Sequence, residues 1–221
     1  NTLLIKYMDE TIRTFLSPKI FYDKLLEKNI DFFTGVPDSL LKDICKYITD
    51  NTPKEKHIIS ANEGNSIAIA AGYHMATNKI PLVYLQNSGF GNIINPLTSL
   101  IHEQVYNIPI LLLIGWRGEP GKKDEPQHKS MGKIQGKLLD TLGIKYEILP
   151  DYNEGATELI DGAYKYMKET NKPFAFLVKK QTFLKQDIQT ISNNYKFKRE
   201  ELLSIVLKEI DETNIIISTT G

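Results

Sequence analysis

The feature that most constrains this chain is an alternation of short apolar runs with helix-like segments, repeated six times over about 160 residues. The apolar runs predict strands at residues 31–36, 57–61, 81–85, 109–115, 145–149 and 173–178. Among the helices, Ser17 followed by Pro18 predicts an N-cap and a first helical position, and a further helix is predicted at 95–103. Because strand–helix–strand units return to the same sheet by right-handed crossovers, this alternation favours a doubly wound α/β domain. We therefore expect a mostly parallel six-stranded sheet. The fourth run is apolar throughout, which is typical of a central strand buried on both faces.

The same pattern predicts the domain organisation. It divides the chain into an N-terminal extension at 1–15, the α/β domain at 16–180, a polar linker at 181–198, and the start of a second, truncated α/β domain at 199–221. The last segment reads as a helix at 199–210 followed by a strand at 214–218. A lone strand has nothing to pair with, so we expect the rest of that domain to be missing from this chain.

Composition excludes several classes of protein. The 27 basic and 27 acidic residues leave no net charge, which argues against a nucleic-acid or membrane-surface partner. The longest apolar run, 108–114, is too short to cross a bilayer, and the N-terminal residues do not resemble a signal peptide, so we expect a cytoplasmic protein. The single cysteine, Cys45, lies on the apolar face of a predicted helix and reads as a buried, inert thiol.

Polar loops follow four of the predicted strands and contain the best candidates for a site. They are residues 35–39, 62–64, 86–92 and 116–130. In a parallel sheet these loops meet at the carboxyl edge, where ligands bind. Acids, amides, one histidine and several cations around one edge suit a small anionic ligand.

Each candidate side chain also has a structural interpretation. Glu63 follows a strand at the start of a helix, where a carboxylate gains about 0.3–1 kcal/mol from the helix dipole. Asp38 could be the N-cap of the next helix. His128 falls in a polar loop before a helix predicted at 131–142, where it could face solvent. Arg117 and the nearby lysines could be a solvated rim. The residues alone leave these alternatives open.

Five loop motifs resemble those of the thiamine diphosphate-dependent 2-oxoacid decarboxylases, and among them the phosphonopyruvate and sulfopyruvate decarboxylases. The motifs are FTGVPDSLL at 33–41, ANEGN at 61–65, QNSG at 86–89, GWRGEPG at 115–121 and DEPQH at 124–128. The resemblance runs in order over residues 17–178. It implies that this segment is the pyrimidine-binding domain, with Mg²⁺ and the cofactor's diphosphate held by the missing second domain. It also implies a homodimer or higher homo-oligomer.

The resemblance further implies a role for each site residue. The glutamate that matches Glu63 hydrogen-bonds the ring nitrogen N1′ of the cofactor's aminopyrimidine and is catalytic. The other residues expected to contact the cofactor are Val36, Pro37, Asn87 and Ser88. Asp38, Ser39 and His128 are expected near the substrate, with Asp38 and His128 as acid–base groups. Arg117 is a chemical inference, because a guanidinium suits a second anionic group of the substrate.

The resulting hypothesis is a carboxy-lyase that converts 3-phosphonopyruvate to phosphonoacetaldehyde and carbon dioxide. Sulfopyruvate decarboxylase, or the decarboxylase of another 2-oxoacid, is the nearest alternative and differs only in the anion bound. A second alternative, from another class, is a non-catalytic α/β domain that regulates or binds a partner.

Overall fold

A computed structural model describes residues 15–186 and 195–217 of the chain. The chain divides into two compact units between residues 186 and 187, and each is described by itself. The predicted extension at 1–15 lies outside the described residues except for Phe15, and the prediction for it stays open. The candidate site lies wholly in the first unit.

The first unit is a six-stranded sheet with helices on both faces. In chain order its elements are α1 (Pro18–Glu27), β1 (Phe33–Gly35), α2 (Lys42–Asn51), β2 (His57–Ile59), α3 (Glu63–Thr77), β3 (Leu82–Gln86), α4 (Phe90–Pro96), β4 (Leu111–Gly115), α5 (Pro126–Thr141), β5 (Lys145–Ile148), α6 (Asn153–Thr170) and β6 (Phe174–Val178). Short 3₁₀ turns lie at Lys54–Lys56 and Asn87–Gly89, and a π-helical turn at Leu97–Ile101 follows α4.

The strands are all parallel and lie in the order β2-β1-β3-β4-β6-β5, which confirms the predicted fold class. One apolar layer packs α1, α2 and α6 against one face of the sheet, and a second packs α3, α4 and α5 against the other. The strand order reverses between β1 and β3. The crevice at such a reversal, beyond the carboxyl ends of the strands, is where open α/β sheets bind ligands.

Local sequence explains several element boundaries. Ser17 caps α1 by accepting a hydrogen bond from the Ile20 backbone N–H, and Pro18 holds the first helical position, as predicted. Asn62 caps α3 through the Asn65 backbone N–H at 2.9 Å. These caps satisfy N–H groups that a helix start would otherwise leave without partners.

Three helix predictions were wrong at their starts. Asp38 is not a helix N-cap, because α2 begins only at Lys42 and the Asp38 side chain turns inward. The helix predicted at 131–142 begins at Pro126, since proline at the first position fixes a helical φ. The helix predicted at 95–103 begins at Phe90, directly after the 3₁₀ turn, and ends in the π-helical turn.

The predicted linker starts with residues that pack on the sheet domain. Phe183 is buried, forms an isolated parallel bridge with Leu16, and lies edge-on to the Phe21 ring with centroids 5.3 Å apart. The rest of this segment falls largely on undescribed residues.

The second unit contains α7 (Arg199–Lys208) as its described element. No strand forms at 214–217, so that prediction is wrong for the described residues. The reason is that an isolated strand lacks a hydrogen-bonding neighbour. Ser218, the last residue of the predicted strand, lies outside the described range. Within the described ranges, no helix is long and apolar enough to cross a membrane.

Candidate functional site

The site is built on loops that leave the carboxyl ends of β1, β2, β3 and β4. The β1 loop is fixed to its neighbours on both sides. The Val36 N–H donates to the Tyr84 carbonyl of β3 at 3.1 Å, and the Ser60 N–H donates to the Gly35 carbonyl at 2.9 Å. Backbone hydrogen bonds therefore position the Val36–Pro37 segment, with Val36 half-buried and Pro37 exposed.

Glu63 is the first residue of α3, at the end of the β2 loop. Its Oε2 accepts a hydrogen bond from Asn92 Nδ2 at 2.7 Å, and the side chain is partly buried. No hydrogen bond from the described residues reaches its Oε1. The carboxylate is thus oriented from one side by an amide and has an acceptor oxygen free for a ligand.

Gly89 leaves the space that the Glu63 carboxylate occupies. A Cβ built on Gly89 would lie 2.7 Å from Glu63 Cγ and closer still to the carboxylate. Carbon atoms in favourable contact are about 3.5–4.0 Å apart, so any larger residue at this position would displace the Glu63 side chain. Glu63 in the β2 loop can therefore keep its observed position only if residue 89 in the β3 loop is glycine.

Asp38 is a buried carboxyl group with an unsatisfied oxygen. Asp38 is 6% exposed, and its Oδ2 accepts from the Leu40 N–H at 3.1 Å, while no described residue forms a hydrogen bond to Oδ1. A Cβ on Gly115 would lie 2.9 Å from Asp38 Cγ, so the carboxyl occupies space that this glycine leaves at the end of β4. Burial raises the pKa of Asp38, although the nearby Arg117 charge opposes that shift.

Asn87 connects the β3 loop to the β4 loop. Its side chain is fully buried, Nδ2 donates to the Arg117 carbonyl at 2.7 Å, and Oδ1 accepts from the Arg117 N–H at 3.2 Å. Both ends of the amide are therefore used to hold the Arg117 backbone. The predicted contact of Asn87 with the cofactor stays a prediction, and the neighbouring Ser88 is exposed and accepts a hydrogen bond from Gln86.

The Arg117 guanidinium is neutralised within the protein. Nη2 donates to Asp124 Oδ1 at 2.6 Å, Nε donates to Oδ2 at 3.0 Å, and Nη1 donates to Ser39 Oγ at 3.1 Å. Asp124 also accepts from the Gly118 N–H at 2.7 Å. The Arg117 guanidinium and this N–H hold the pKa of Asp124 well below its usual range, so the pair stays ionised. Nη1 is the one guanidinium nitrogen of Arg117 that contacts Ser39 instead of Asp124 in the described structure.

A cleft of about 390 Å³ opens beside Ser39 and Arg117. Its lining includes three carboxylates, each of which has a partner: Asp124 pairs with Arg117, Glu119 with Lys179 at 3.2 Å, and Asp43 accepts from the Gln186 N–H at 2.9 Å. Five lysines also line the cleft: Lys42, Lys122, Lys123, Lys180 and Lys185. None of these lysines forms an ion pair with another described residue, so the cleft has excess positive charge.

His128 is in the first turn of α5, not in the polar loop where the sequence analysis placed it, because α5 begins at Pro126. Its side chain is partly buried. Hydrogen bonds in the described structure join Ser39 to Arg117 and Glu63 to Asn92, but none joins these two groups to each other or to His128. The structure therefore forms two separate hydrogen-bonded clusters, one around Arg117 and one around Glu63, and places His128 in neither.

Sequence reasoning missed the residues that hold these clusters together. Asn92 orients Glu63, Asp124 neutralises Arg117, and Gly115 accommodates Asp38. Asn92 and Asp124 lie within loops that the sequence analysis selected, yet nothing in the sequence shows which polar neighbour will be within hydrogen-bonding distance. Gly115 was visible only as the end of a strand and the first residue of the GWRGEPG motif, neither of which indicates its contact with Asp38.

The remaining reactive side chains serve the fold. Burial raises the pKa of the Cys45 thiol to about 12, which confirms the prediction of a buried, inert cysteine. His57 Nε2 lies 2.8 Å from Tyr84 Oη, and His74 Nδ1 lies 2.8 Å from the Lys79 carbonyl oxygen. Among the residues that the structure describes, no group of three His, Cys, Asp or Glu side chains could hold a metal ion.

Comparisons with known proteins identify the family of this domain. Residues 18–141 match the family model described as "Thiamine pyrophosphate enzyme, N-terminal TPP binding domain". The chain is 35% identical over 144 residues to phosphonopyruvate decarboxylase of Streptomyces viridochromogenes, an alignment that covers 65% of this chain and 35% of that protein. It is also 35% identical over 157 residues to sulfopyruvate decarboxylase subunit alpha of Methanococcus maripaludis, covering 71% of this chain and 90% of that one.

A solved structure supports the fold alone. Benzoylformate decarboxylase from Polynucleobacter necessarius aligns with a TM-score of 0.59 at 17% identity, over 82% of this chain and 33% of that chain. The chain thus spans about a third of the length of the Streptomyces protein and of this structure.

Proposed function

Because this chain belongs to the thiamine pyrophosphate enzymes, through the N-terminal binding domain that residues 18–141 match, we propose that it forms the pyrimidine-binding part of a decarboxylase of anionic 2-oxoacids. The cofactor of this family is thiamine pyrophosphate, which is also called thiamine diphosphate. One observation carries the proposal: the Glu63 carboxylate lies at the carboxyl edge of the sheet, oriented by Asn92 and accommodated by Gly89.

The residues present fit the aminopyrimidine of this cofactor. Its ring nitrogen N1′ can share a proton with a carboxylate, and Glu63 Oε1 is the acceptor that the described residues leave free. When bound, the cofactor supplies an electron sink for the carbon–carbon bond broken in decarboxylation. The role of Glu63 is to hold a proton at N1′ from a fixed position, where an oriented carboxylate is more effective than a mobile one. Val36, Pro37 and Ser88 line the same edge as further candidate contacts.

Asp38 is the best candidate for moving a proton on the substrate side. Burial raises its pKa, so its protonated form persists to higher pH than that of an ordinary aspartate. A protonated carboxyl group in this position suits delivery of a proton to the carbon that loses carbon dioxide. His128 is the alternative proton donor. We propose Asp38 rather than His128 as the proton donor, because Oδ1 of Asp38 lacks a hydrogen-bond partner among the described residues and can contact the substrate.

We propose 3-phosphonopyruvate as the substrate, with phosphonoacetaldehyde and carbon dioxide as products. Similarity to the Streptomyces phosphonopyruvate decarboxylase supports this choice, and similarity to the Methanococcus sulfopyruvate decarboxylase subunit supports sulfopyruvate as the alternative. Mg²⁺ and the cofactor's diphosphate would be held by another part of the enzyme. The inference rests on the resemblance and on the chain's coverage of about a third of the Streptomyces protein.

An assembly of two or more chains fits the exposed apolar residues around β2. Ile58 and Ile59 on this edge strand are 38% and 59% exposed, and Met75 on α3 is 61% exposed. A second copy is the partner we propose, while the name of the Methanococcus relative as a subunit alpha points to a different partner chain. Light scattering of the purified protein at micromolar concentration distinguishes a monomer from these assemblies.

Replacement of Glu63 by glutamine in the complete enzyme tests the proposal. Glutamine keeps the size of the side chain but cannot hold a proton at N1′, so we expect turnover of phosphonopyruvate to fall at least about 100-fold. The melting temperature should change little, because a first-turn carboxylate contributes only about 0.3–1 kcal/mol. Glu154→Gln is the matched control, since Glu154 is an exposed acid in the first turn of α6.

Two results would contradict the proposal. The first is equal activity of Glu63→Gln and Glu154→Gln, which would make Glu63 only a helix-start acid. The second is the absence of thiamine diphosphate binding in calorimetry with Mg²⁺. That result would favour the non-catalytic alternative, a regulatory or partner-binding domain.

A further inference from the structure

The lysine-lined cleft beside Ser39 and Arg117 is a cluster of positive charge in the described part of the sheet domain that the proposed mechanism does not use. Its five lysines come from three separate parts of the chain: the start of α2, the loop before α5, and the segment after β6. All five are exposed, and two of the three carboxylates in the lining, Asp124 and Glu119, are paired with other cations. The third, Asp43, accepts from a backbone N–H, so the lysines remain in excess. Bringing like charges together from three segments costs repulsion unless an anion neutralises them.

The geometry around Arg117 shows where such an anion would be bound. Asp124 takes the Nε and Nη2 edges of the guanidinium, so Arg117 adds no net charge to the cleft. Its Nη1 and the Ser39 hydroxyl, which form a hydrogen bond to each other at 3.1 Å, both line the cleft. Asp38, whose free oxygen belongs to the candidate catalytic edge, immediately precedes Ser39 in the chain. The cleft therefore begins next to the proposed site of proton transfer.

We infer that this cleft binds the terminal phosphonate of the substrate and that Lys122 and Lys123 make the enzyme selective for a dianionic group. The inference rests on the proposed function, because it assigns a substrate subsite to the same reaction. Ser39 and Arg117 Nη1 would orient the phosphonate oxygens, and the lysines would supply the charge. This assignment moves the recognition of charge from Arg117, where the sequence analysis placed it, to the lysines.

Charge number gives the expected selectivity. A phosphonate carries up to two negative charges, a sulfonate carries one, and the methyl group of pyruvate carries none. The attraction of a lysine for each group scales with that charge. The two lysines should therefore matter most for phosphonopyruvate, less for sulfopyruvate, and hardly at all for pyruvate.

The test is the double variant Lys122→Gln/Lys123→Gln in the complete enzyme. We expect kcat/KM for phosphonopyruvate to fall about 30-fold, because each of the two lost exposed charge pairs contributes roughly a 5-fold effect. The kcat/KM for pyruvate should stay within about twofold of wild type. The control is Lys133→Gln/Lys137→Gln on α5. It removes the same charge at exposed positions outside the cleft lining and should leave kcat/KM unchanged for both substrates. Equal losses for both substrates, or no loss for phosphonopyruvate, would overturn the inference.

A binding experiment separates this inference from the proposed function. Methylphosphonate and methanesulfonate are titrated into wild type and both double variants without any oxoacid. We expect tighter binding of methylphosphonate to wild type, weakened only by the cleft variant, and competitive inhibition against phosphonopyruvate. If no oxoacid is decarboxylated but methylphosphonate still binds more weakly to the cleft variant alone, the proposed function fails and the anion site stands. Equal binding of methylphosphonate by all three proteins, or inhibition that is not competitive with phosphonopyruvate, would overturn the phosphonate subsite.

Discussion

The contact between Gly89 and Glu63 yields the sharpest prediction, because one methyl group can displace the proposed catalytic acid without disturbing the fold. Gly89 has a right-handed helical conformation, with φ −80° and ψ −4°, that alanine adopts without strain. The alanine Cβ would lie 2.7 Å from Glu63 Cγ, against about 3.5 Å for a relaxed contact, so the Glu63 side chain must move by about 1 Å.

The displacement should cost activity much more than stability. Glu63 is partly exposed and can swing toward solvent, losing its hydrogen bond to Asn92, which is worth about 0.5–1.5 kcal/mol. A misplacement of 1 Å at a catalytic group can reduce the rate about 100-fold. We therefore expect Gly89→Ala to fold and melt close to wild type, while turnover falls about 100-fold.

Gly91→Ala is the matched control. Gly91 lies two residues further along, and a Cβ there would meet no atom of the described residues within 4 Å. It should retain full activity and gain a little stability from the better helix former. The assays are steady-state turnover with phosphonopyruvate, exchange of the cofactor's C2 proton and thermal melting on both variants. If Gly89→Ala turns over as fast as Gly91→Ala, the position of Glu63 does not control the reaction and the reasoning fails.

Three further predictions concern polar side chains that are buried or partly buried. Burial by itself would raise the pKa of Asp31, but hydrogen bonds from Lys56, Lys79 and the Tyr73 hydroxyl, which donates at 2.7 Å, lower it to about 2. This stabilisation of roughly 1–2 kcal/mol is therefore complete above about pH 4 and is lost as pH falls toward 2. Asp31→Asn should abolish that loss in acid melting curves. Asn87→Ala removes both hydrogen bonds to the Arg117 backbone and should lower the free energy of unfolding, measured with urea, by about 2–3 kcal/mol. An unchanged urea midpoint would contradict a structural role of Asn87. Burial raises the pKa of Asp38, so its charge opposes folding at neutral pH; Asp38→Asn should melt no lower than wild type at pH 7 yet lose turnover, and a lower melting temperature would refute this.

The sequence by itself determined the fold class and the edge of the sheet where the site lies. Apolar runs alternating with helical spacing leave few arrangements other than a parallel sheet covered by helices, because each element must bury its apolar face. The same alternation identifies the loops after each strand, so Asp38, Glu63 and Arg117 could be named as residues of one edge before their contacts were known.

Only the tertiary structure decided what each of those residues contacts. The sequence reads Asp38 as a helix cap, and the fold instead buries it against Gly115, far along the chain. It reads Arg117 as a free cation, and the fold neutralises it with Asp124. The physical reason is range: a helical or strand pattern is set by neighbours a few residues apart, whereas burial and pairing at a site depend on distant segments that only folding brings together.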